Sequence, residues 1–155
     1  MSEQVSVSQD IGAPADTVWR MVSDVTRMGE WSPEAVGAVW LRGDSGPVPG
    51  ARFRGRNRNG KKKWETVGVV TEAESGRVFA FRVSAAGFRV AEWRYEFEPN
   101  PAGCRVTETW TDQRGRVAKV LGKPVSGVVD RAAHNRSTMQ QTLTRLAAAA
   151  ERDDN

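Results

Sequence analysis

The most prominent residue with chemical potential in this chain is a carboxylate on an otherwise apolar strand face. Alternating side chains over residues 104–112 predict a β-strand. One face of this strand consists of Cys104, Val106, Glu108 and Trp110. If that face points inward, Glu108 is buried, and a buried carboxyl is a candidate acid, base or ligand anchor. The alternative is a carboxylate that stays solvated or pairs with Arg82 or Arg94.

Two further polar residues could take part in ligand binding or proton transfer. Asn57 lies on the inward face of a predicted strand with Phe53, so its amide could hydrogen-bond a ligand, although such a residue can equally serve the nearby turn. Tyr95 falls on the aromatic face of another predicted strand. If the protein is an enzyme, the candidates to move or polarise protons are Glu108, Asn57 and Tyr95.

Metal and cofactor chemistry lacks the residues that it needs. The chain has one histidine, His134, and one cysteine, Cys104, whereas a zinc-type site requires several ligands at defined spacing. We therefore predict no metal site and no cofactor. A serine or cysteine triad would need His134 as its base. The helical wheel places this residue about 150° from the buried stripe of its helix, so we expect it to face solvent.

A short basic segment, residues 52–63, carries much of the positive charge. It contains Arg52, Arg54, Arg56, Arg58, Lys61, Lys62 and Lys63. Alternating arginines are typical of a solvated outer sheet face that protects an edge. The segment could instead contact an anionic lipid surface. Nucleic acid is not predicted as a partner, because no aromatic residues interleave on the basic face and no recognition module is present.

Length and composition predict one cytoplasmic domain. A chain of 155 residues is long enough for a single hydrophobic core. It has no stretch near the roughly 20 apolar residues of a membrane span, and its N-terminus does not resemble a secretory signal. A single cysteine permits no internal disulfide. We expect a domain over residues 1–152 with a frayed tail at 153–155; no oligomeric state is predicted.

The periodicity predicts a strand, two short helices, six strands and a long helix. The first strand ends near Ile11, and two short helices follow up to Gly29. Short turns, among them Asn59-Gly60, join the six later strands into an antiparallel meander. A period of about 3.6 residues then predicts a helix from Pro124 to about Glu151. Its apolar stripe is Val125, Val128, Ala132, Met139, Leu143 and Leu146.

Neither the sheet nor the long helix can bury its apolar face alone, so the economical arrangement is an α+β fold of the helix-grip type. A curved antiparallel sheet of about seven strands would surround the C-terminal helix and leave a cavity at its open end. The two short helices and residues 115–123 would act as lids. The side chains predicted to bind a ligand there are Trp31, Phe53, Asn57, Trp64, Phe79, Phe81, Trp93, Tyr95, Glu108, Trp110, Asn135 and Met139.

Four stretches resemble the START-like superfamily, also called SRPBCC, in its bacterial polyketide cyclase/dehydrase-like branch. They are residues 7–19, residues 24–34, the hairpin of 93–99 and 103–110, and the helix 134–151. The resemblance implies the START-like helix-grip fold over nearly the whole chain. It implies no catalytic residue, because the branch shares no short catalytic motif. Lipid carriers, aromatic-polyketide cyclases, chaperone activators and hormone receptors all occur in the superfamily.

Three hypotheses on function follow. The first is a soluble protein that binds an apolar small molecule, such as a lipid or polyketide, in an internal cavity without catalysis. The second is a cyclase/dehydrase-type enzyme that folds a poly-β-keto chain in the cavity. The third is a protein-interaction role of the chaperone-activator or toxin-like kind, which predicts an exposed apolar patch and little cavity.

Overall fold

The fold is an antiparallel sheet wrapped around a C-terminal helix, and a computed structural model describes residues 3–115, 127–128 and 130–153. The strands are β1 (Gln4–Ile11), β2 (Ala35–Trp40), β3 (Arg52–Asn59), β4 (Lys62–Glu74), β5 (Val78–Ala85), β6 (Phe88–Asn100) and β7 (Gly103–Asp112). They form one seven-stranded sheet in the order β1-β7-β6-β5-β4-β3-β2, with every neighbouring pair antiparallel. The predicted meander is confirmed.

Two short helices follow β1, as the sequence predicts. Helix α1 (Ala15–Ser23) begins directly after Pro14, and its first turn carries Asp16. The 3-10 helix η1 (Val25–Glu30) is capped by Asp24, whose side chain accepts a hydrogen bond from the backbone of Thr26 at 3.2 Å. Among the described residues, no helix is both long and apolar enough to span a membrane.

The C-terminal helix, α2 (Arg131–Asp153), starts later than the periodicity predicted. Gly127 has a φ of +73°, which lies outside the right-handed helical range. Asp130 then caps the helix, because its Oδ1 accepts a hydrogen bond from the backbone N–H of Ala133 at 3.1 Å. The helix start predicted at Pro124 and most of the lid predicted at 115–123 lie outside the described residues.

The core lies between the concave face of the sheet and α2. Met139, Leu143 and Leu146 of the predicted helical stripe are at most 1% exposed and pack into one apolar cluster with the inward side chains of the strands. Register shifts that leave an extra residue on β2, β4 and β6 mark irregularities of the bulge kind. Because bulges bend a strand and increase its twist, they help the sheet to curl around the helix.

Candidate ligand cavity

A cavity of about 590 Å³ lies between the curled sheet and α2. This volume is in the range of small-molecule sites. The predicted ligand-binding residues that line it are Trp31, Phe53, Asn57, Trp64, Phe81, Trp93, Tyr95, Glu108, Trp110, Asn135 and Met139. Strand alternation therefore brings residues from five strands to the same space. Trp31 from a loop and two residues of α2 complete this set.

Phe79 is the predicted ligand-binding residue that does not line the cavity. It shares a face of β5 with Phe81, and the two ring centroids are 5.6 Å apart. However, Phe79 lies two residues closer to the end of the sheet that α1 covers, where Trp19 Nε1 donates to the carbonyl of Val78 at 2.8 Å. Phe79 is completely buried there and fills the core instead.

The polar feature of the cavity is a Tyr95–Glu108 pair on adjacent strands. The two residues lie directly opposite each other in the β6–β7 register. The Tyr95 hydroxyl donates to Oε1 of Glu108 at 2.8 Å. Glu108 is 2% exposed, and its Oε2 has no hydrogen-bond partner among the described residues. Arg94 pairs with Glu72 and Glu96 on the other face of the sheet, not with Glu108.

Burial keeps the Tyr95–Glu108 pair neutral. Removal from water raises the pKa of the Glu108 carboxyl to about 8, and the hydrogen bond from Tyr95 opposes this only in part. Burial also raises the pKa of Tyr95 well above its ordinary value, as does the neighbouring Glu108. Because Tyr95 donates to Oε1, the proton of a neutral Glu108 sits on Oε2. The cavity thus presents a buried O–H donor that no residue in the described part of the chain accepts from.

The two amide side chains in the cavity wall have protein partners. Asn57 Nδ2 donates to the Thr66 hydroxyl on β4 at 3.1 Å, so it joins two strands instead of serving the turn at 59–60. Asn135 is buried, and its Oδ1 accepts a hydrogen bond from Arg131 at 3.3 Å. These contacts orient both amides in the wall of the cavity.

A charged cluster near the start of α2 was not predicted from the sequence. Arg131 Nη1 lies 2.7 Å from Oε1 of Glu34, and His134 Nε2 lies 2.9 Å from the other carboxylate oxygen. The guanidinium of Arg131 also lies 5.9 Å from the centre of the Trp64 ring. The helical wheel predicted that His134 faces solvent; in the structure it is half-buried against Glu34. Glu34 and Arg131 both line the cavity.

The chain matches a family model, and solved structures share its fold. The model, described as "Polyketide cyclase / dehydrase and lipid transport", matches residues 2–151. The Polyketide_cyc-like protein Cgl2372 of Corynebacterium glutamicum is 32% identical, with a TM-score of 0.60, and the match covers 98% of this chain and 91% of that one. No curated protein matches the chain significantly.

More distant structures show the same fold at low identity. Protein CV1439 of Chromobacterium violaceum has a TM-score of 0.72 at 15% identity, over 96% of this chain and 97% of that one. The di-domain ARO/CYC StfQ from the steffimycin biosynthetic pathway has a TM-score of 0.75 at 14% identity, over 99% of this chain and 52% of that one. The chain therefore belongs to the polyketide cyclase/dehydrase and lipid transport family and has the helix-grip fold of the SRPBCC proteins.

Proposed function

We propose that the protein binds an apolar small molecule that carries a hydrogen-bond acceptor. The cavity is the observation that carries this proposal: its walls are mainly aromatic and aliphatic, and its volume of about 590 Å³ suits a compact ligand. Trp31 and Trp110 are buried in the wall, whereas Trp64 and Trp93 are half-buried. Flat aromatic walls favour ring systems and hydrocarbon chains.

The Glu108 carboxyl supports the requirement for an acceptor. A buried donor without a partner costs about 1–3 kcal/mol, so a ligand oxygen placed against Oε2 recovers much of that cost. A carbonyl or hydroxyl oxygen suits this position, and both groups occur in polyketides and in many lipids. The family description, which includes cyclases and lipid transport, agrees with such a ligand.

Native mass spectrometry of the purified protein, followed by denaturing extraction, tests whether a ligand is carried along. Equilibrium dialysis with the matched pair 9-fluorenone and fluorene then tests the acceptor directly. We expect the ketone to bind at least about tenfold more tightly than the hydrocarbon. E108L should remove that preference. If neither probe binds and no ligand co-purifies, the proposal is wrong.

A cavity-filling variant checks where the probes bind. Ala91 lines the cavity and is 1% exposed, so A91L should reduce the binding of both probes. The same substitution in the exposed turn before β7, A102L, is the matched control and should bind like the wild type.

A cyclase/dehydrase-type enzyme is the second candidate function, and the Tyr95–Glu108 pair favours it. A carboxyl whose pKa is about 8 can give and take a proton near neutral pH, and Tyr95 can polarise a carbonyl beside it. Asn57 would orient the substrate. If the protein is an enzyme, E108Q keeps ligand binding but loses turnover of a poly-β-keto substrate. If it is a carrier, neither the wild type nor E108Q turns the substrate over.

Residues 1–152 would form one domain, and the cytoplasm would be its compartment because the single cysteine forms no internal disulfide. A protein-interaction role receives less support. The large exposed apolar residues include Val39 and Val67, which the register places on either side of Arg54 and not in one continuous patch.

A further inference from the structure

The β3–β4 hairpin carries a group of exposed cations that lack acidic partners. Arg52 and Arg54, nearer the base of the hairpin, pair with Asp44 and Glu65. The basic residues beyond them are all exposed and form no ion pair within the described part of the chain. These hairpin cations are Arg56, Arg58, Lys61, Lys62 and Lys63. Five uncompensated charges in one hairpin create a positive potential that attracts an anionic surface.

The hairpin cations lie at the end of the molecule where the cavity opens. The described residues that both line the cavity and are exposed are Glu65, Ala86 and Phe88. Glu65 belongs to β4, close to the hairpin tip, and the other two belong to the β5–β6 turn. Because β4 and β5 are antiparallel, with Val67 opposite Ser84, both turns lie at the same end of the sheet.

Phe88 supplies an apolar contact beside these charges. Its side chain is 50% exposed at the edge of the cavity, although a phenylalanine normally gains by burial. An exposed aromatic ring next to several cations is the combination that binds a membrane interface, where the ring enters the headgroup region and the cations contact anionic headgroups.

We propose that this end of the protein docks on an anionic lipid bilayer through the hairpin cations and Phe88. Docking in this orientation turns the cavity opening towards the lipid, so that an apolar ligand can exchange with the bilayer without crossing water. A nucleic acid fits less well, because the basic face of the hairpin carries no aromatic side chain for base stacking. The docking itself does not require that the cavity hold a ligand.

Vesicle co-sedimentation tests the proposal with phosphatidylcholine alone or mixed with phosphatidylglycerol, at low and high salt. We expect binding to the anionic vesicles only, weakened by salt. The triple variant K61Q/K62Q/K63Q should lower that affinity at least about tenfold. F88A should lower the affinity for anionic vesicles that remains at high salt, because the cations are screened there.

A matched control separates local docking from net charge. The variant R42Q/R77Q/R105Q removes the same charge from exposed arginines at the opposite end of the sheet and should bind vesicles nearly as the wild type does. Equal loss in both triple variants, or equal binding to neutral vesicles, would overturn the proposal. So would tighter binding to a single-stranded DNA oligonucleotide than to the anionic vesicles at matched salt.

Discussion

Glu108 illustrates how one residue acquires its properties from its neighbours. Strand alternation places its side chain on the inward face of β7, and the β6–β7 register places Tyr95 directly opposite. The Tyr95 hydroxyl holds one oxygen of the buried carboxyl, and the other oxygen has no hydrogen-bond partner among the described residues. An inward glutamate therefore becomes a neutral hydrogen-bond donor inside an apolar cavity.

The raised pKa of Glu108 predicts a pH-dependent stability. In the unfolded chain this carboxyl ionises near 4.5, whereas the folded protein keeps its proton up to about pH 8. The folded state thus binds more protons in this window, and Glu108 lowers the free energy of unfolding as pH rises from about 4.5 to 8, by roughly 4 kcal/mol at the upper end. E108Q should remove this loss.

Urea unfolding of both chains at several pH values across the window measures the effect. The stability of E108Q relative to the wild type should increase with pH. E98Q makes the same substitution at an exposed position of β6 and should leave the pH profile of the wild type unchanged. A difference between E108Q and wild type that does not vary with pH would contradict the assignment of a buried neutral carboxyl.

At the scale of the elements, the β3–β4 pair shows how a glycine shapes the cavity wall. Phe53 and Gly68 are opposite each other in the register, and the Phe53 ring covers the space that a side chain at position 68 would occupy. In this position the ring makes edge contacts with Phe81 at 5.2 Å and Trp40 at 5.8 Å between centroids. The absence of a side chain at Gly68 therefore sets the position of a cavity-lining aromatic.

We expect G68A to destabilise the protein by about 1–3 kcal/mol, because its Cβ would overlap the Phe53 ring and displace it. Urea unfolding measures the change. G115A is the control, since a Cβ there meets no atom of the described residues within 4 Å, and it should alter stability by no more than about 0.5 kcal/mol. Equal effects of the two substitutions would show that the Phe53 ring does not constrain position 68.

At the scale of the whole molecule, strand pairing protects β7, which lies between β1 and β6 in the sheet. Cys104 lies opposite Ile11 of β1 and Pro99 of β6, and it is completely buried. Burial raises the pKa of its thiol, with a smaller contribution from Asp10. Thiol reagents cannot reach the buried Cys104 as long as this part of the sheet is intact, and the raised pKa leaves little reactive thiolate.

The thiol of Cys104 should therefore report unfolding. We expect a disulfide exchange reagent to modify it only at the rate at which the sheet opens, so that modification accelerates with urea in parallel with the loss of circular dichroism. A chain with C104A and A102C, whose thiol lies in an exposed turn, should react at once without urea. Rapid modification of Cys104 in the native wild type would show that β7 is less protected than its burial indicates.

The sequence alone determined the order and type of the elements and the inward face of each strand, because alternation and turn residues are local properties of the chain. For the same reason, most of the residues that it predicted for the cavity do line it, although they make up less than half of the wall. It could not determine how far along the inward face of a strand the cavity extends. Phe79 therefore lies in the core although it shares a face with Phe81, which lines the cavity. The helix start was also out of reach, since Gly127 and Asp130 interrupt a pattern that the apolar residues continue.

Only the tertiary structure decided the contacts between distant parts of the chain. Glu34 meets Arg131 and His134 across roughly a hundred residues of sequence, and no local pattern encodes that distance. The state of Glu108 depends in the same way on Tyr95 and on the walls that exclude water, because the pKa of a carboxyl follows from its surroundings. Side-chain alternation selects the residues that face inward, and three-dimensional packing sets their partners and their charge.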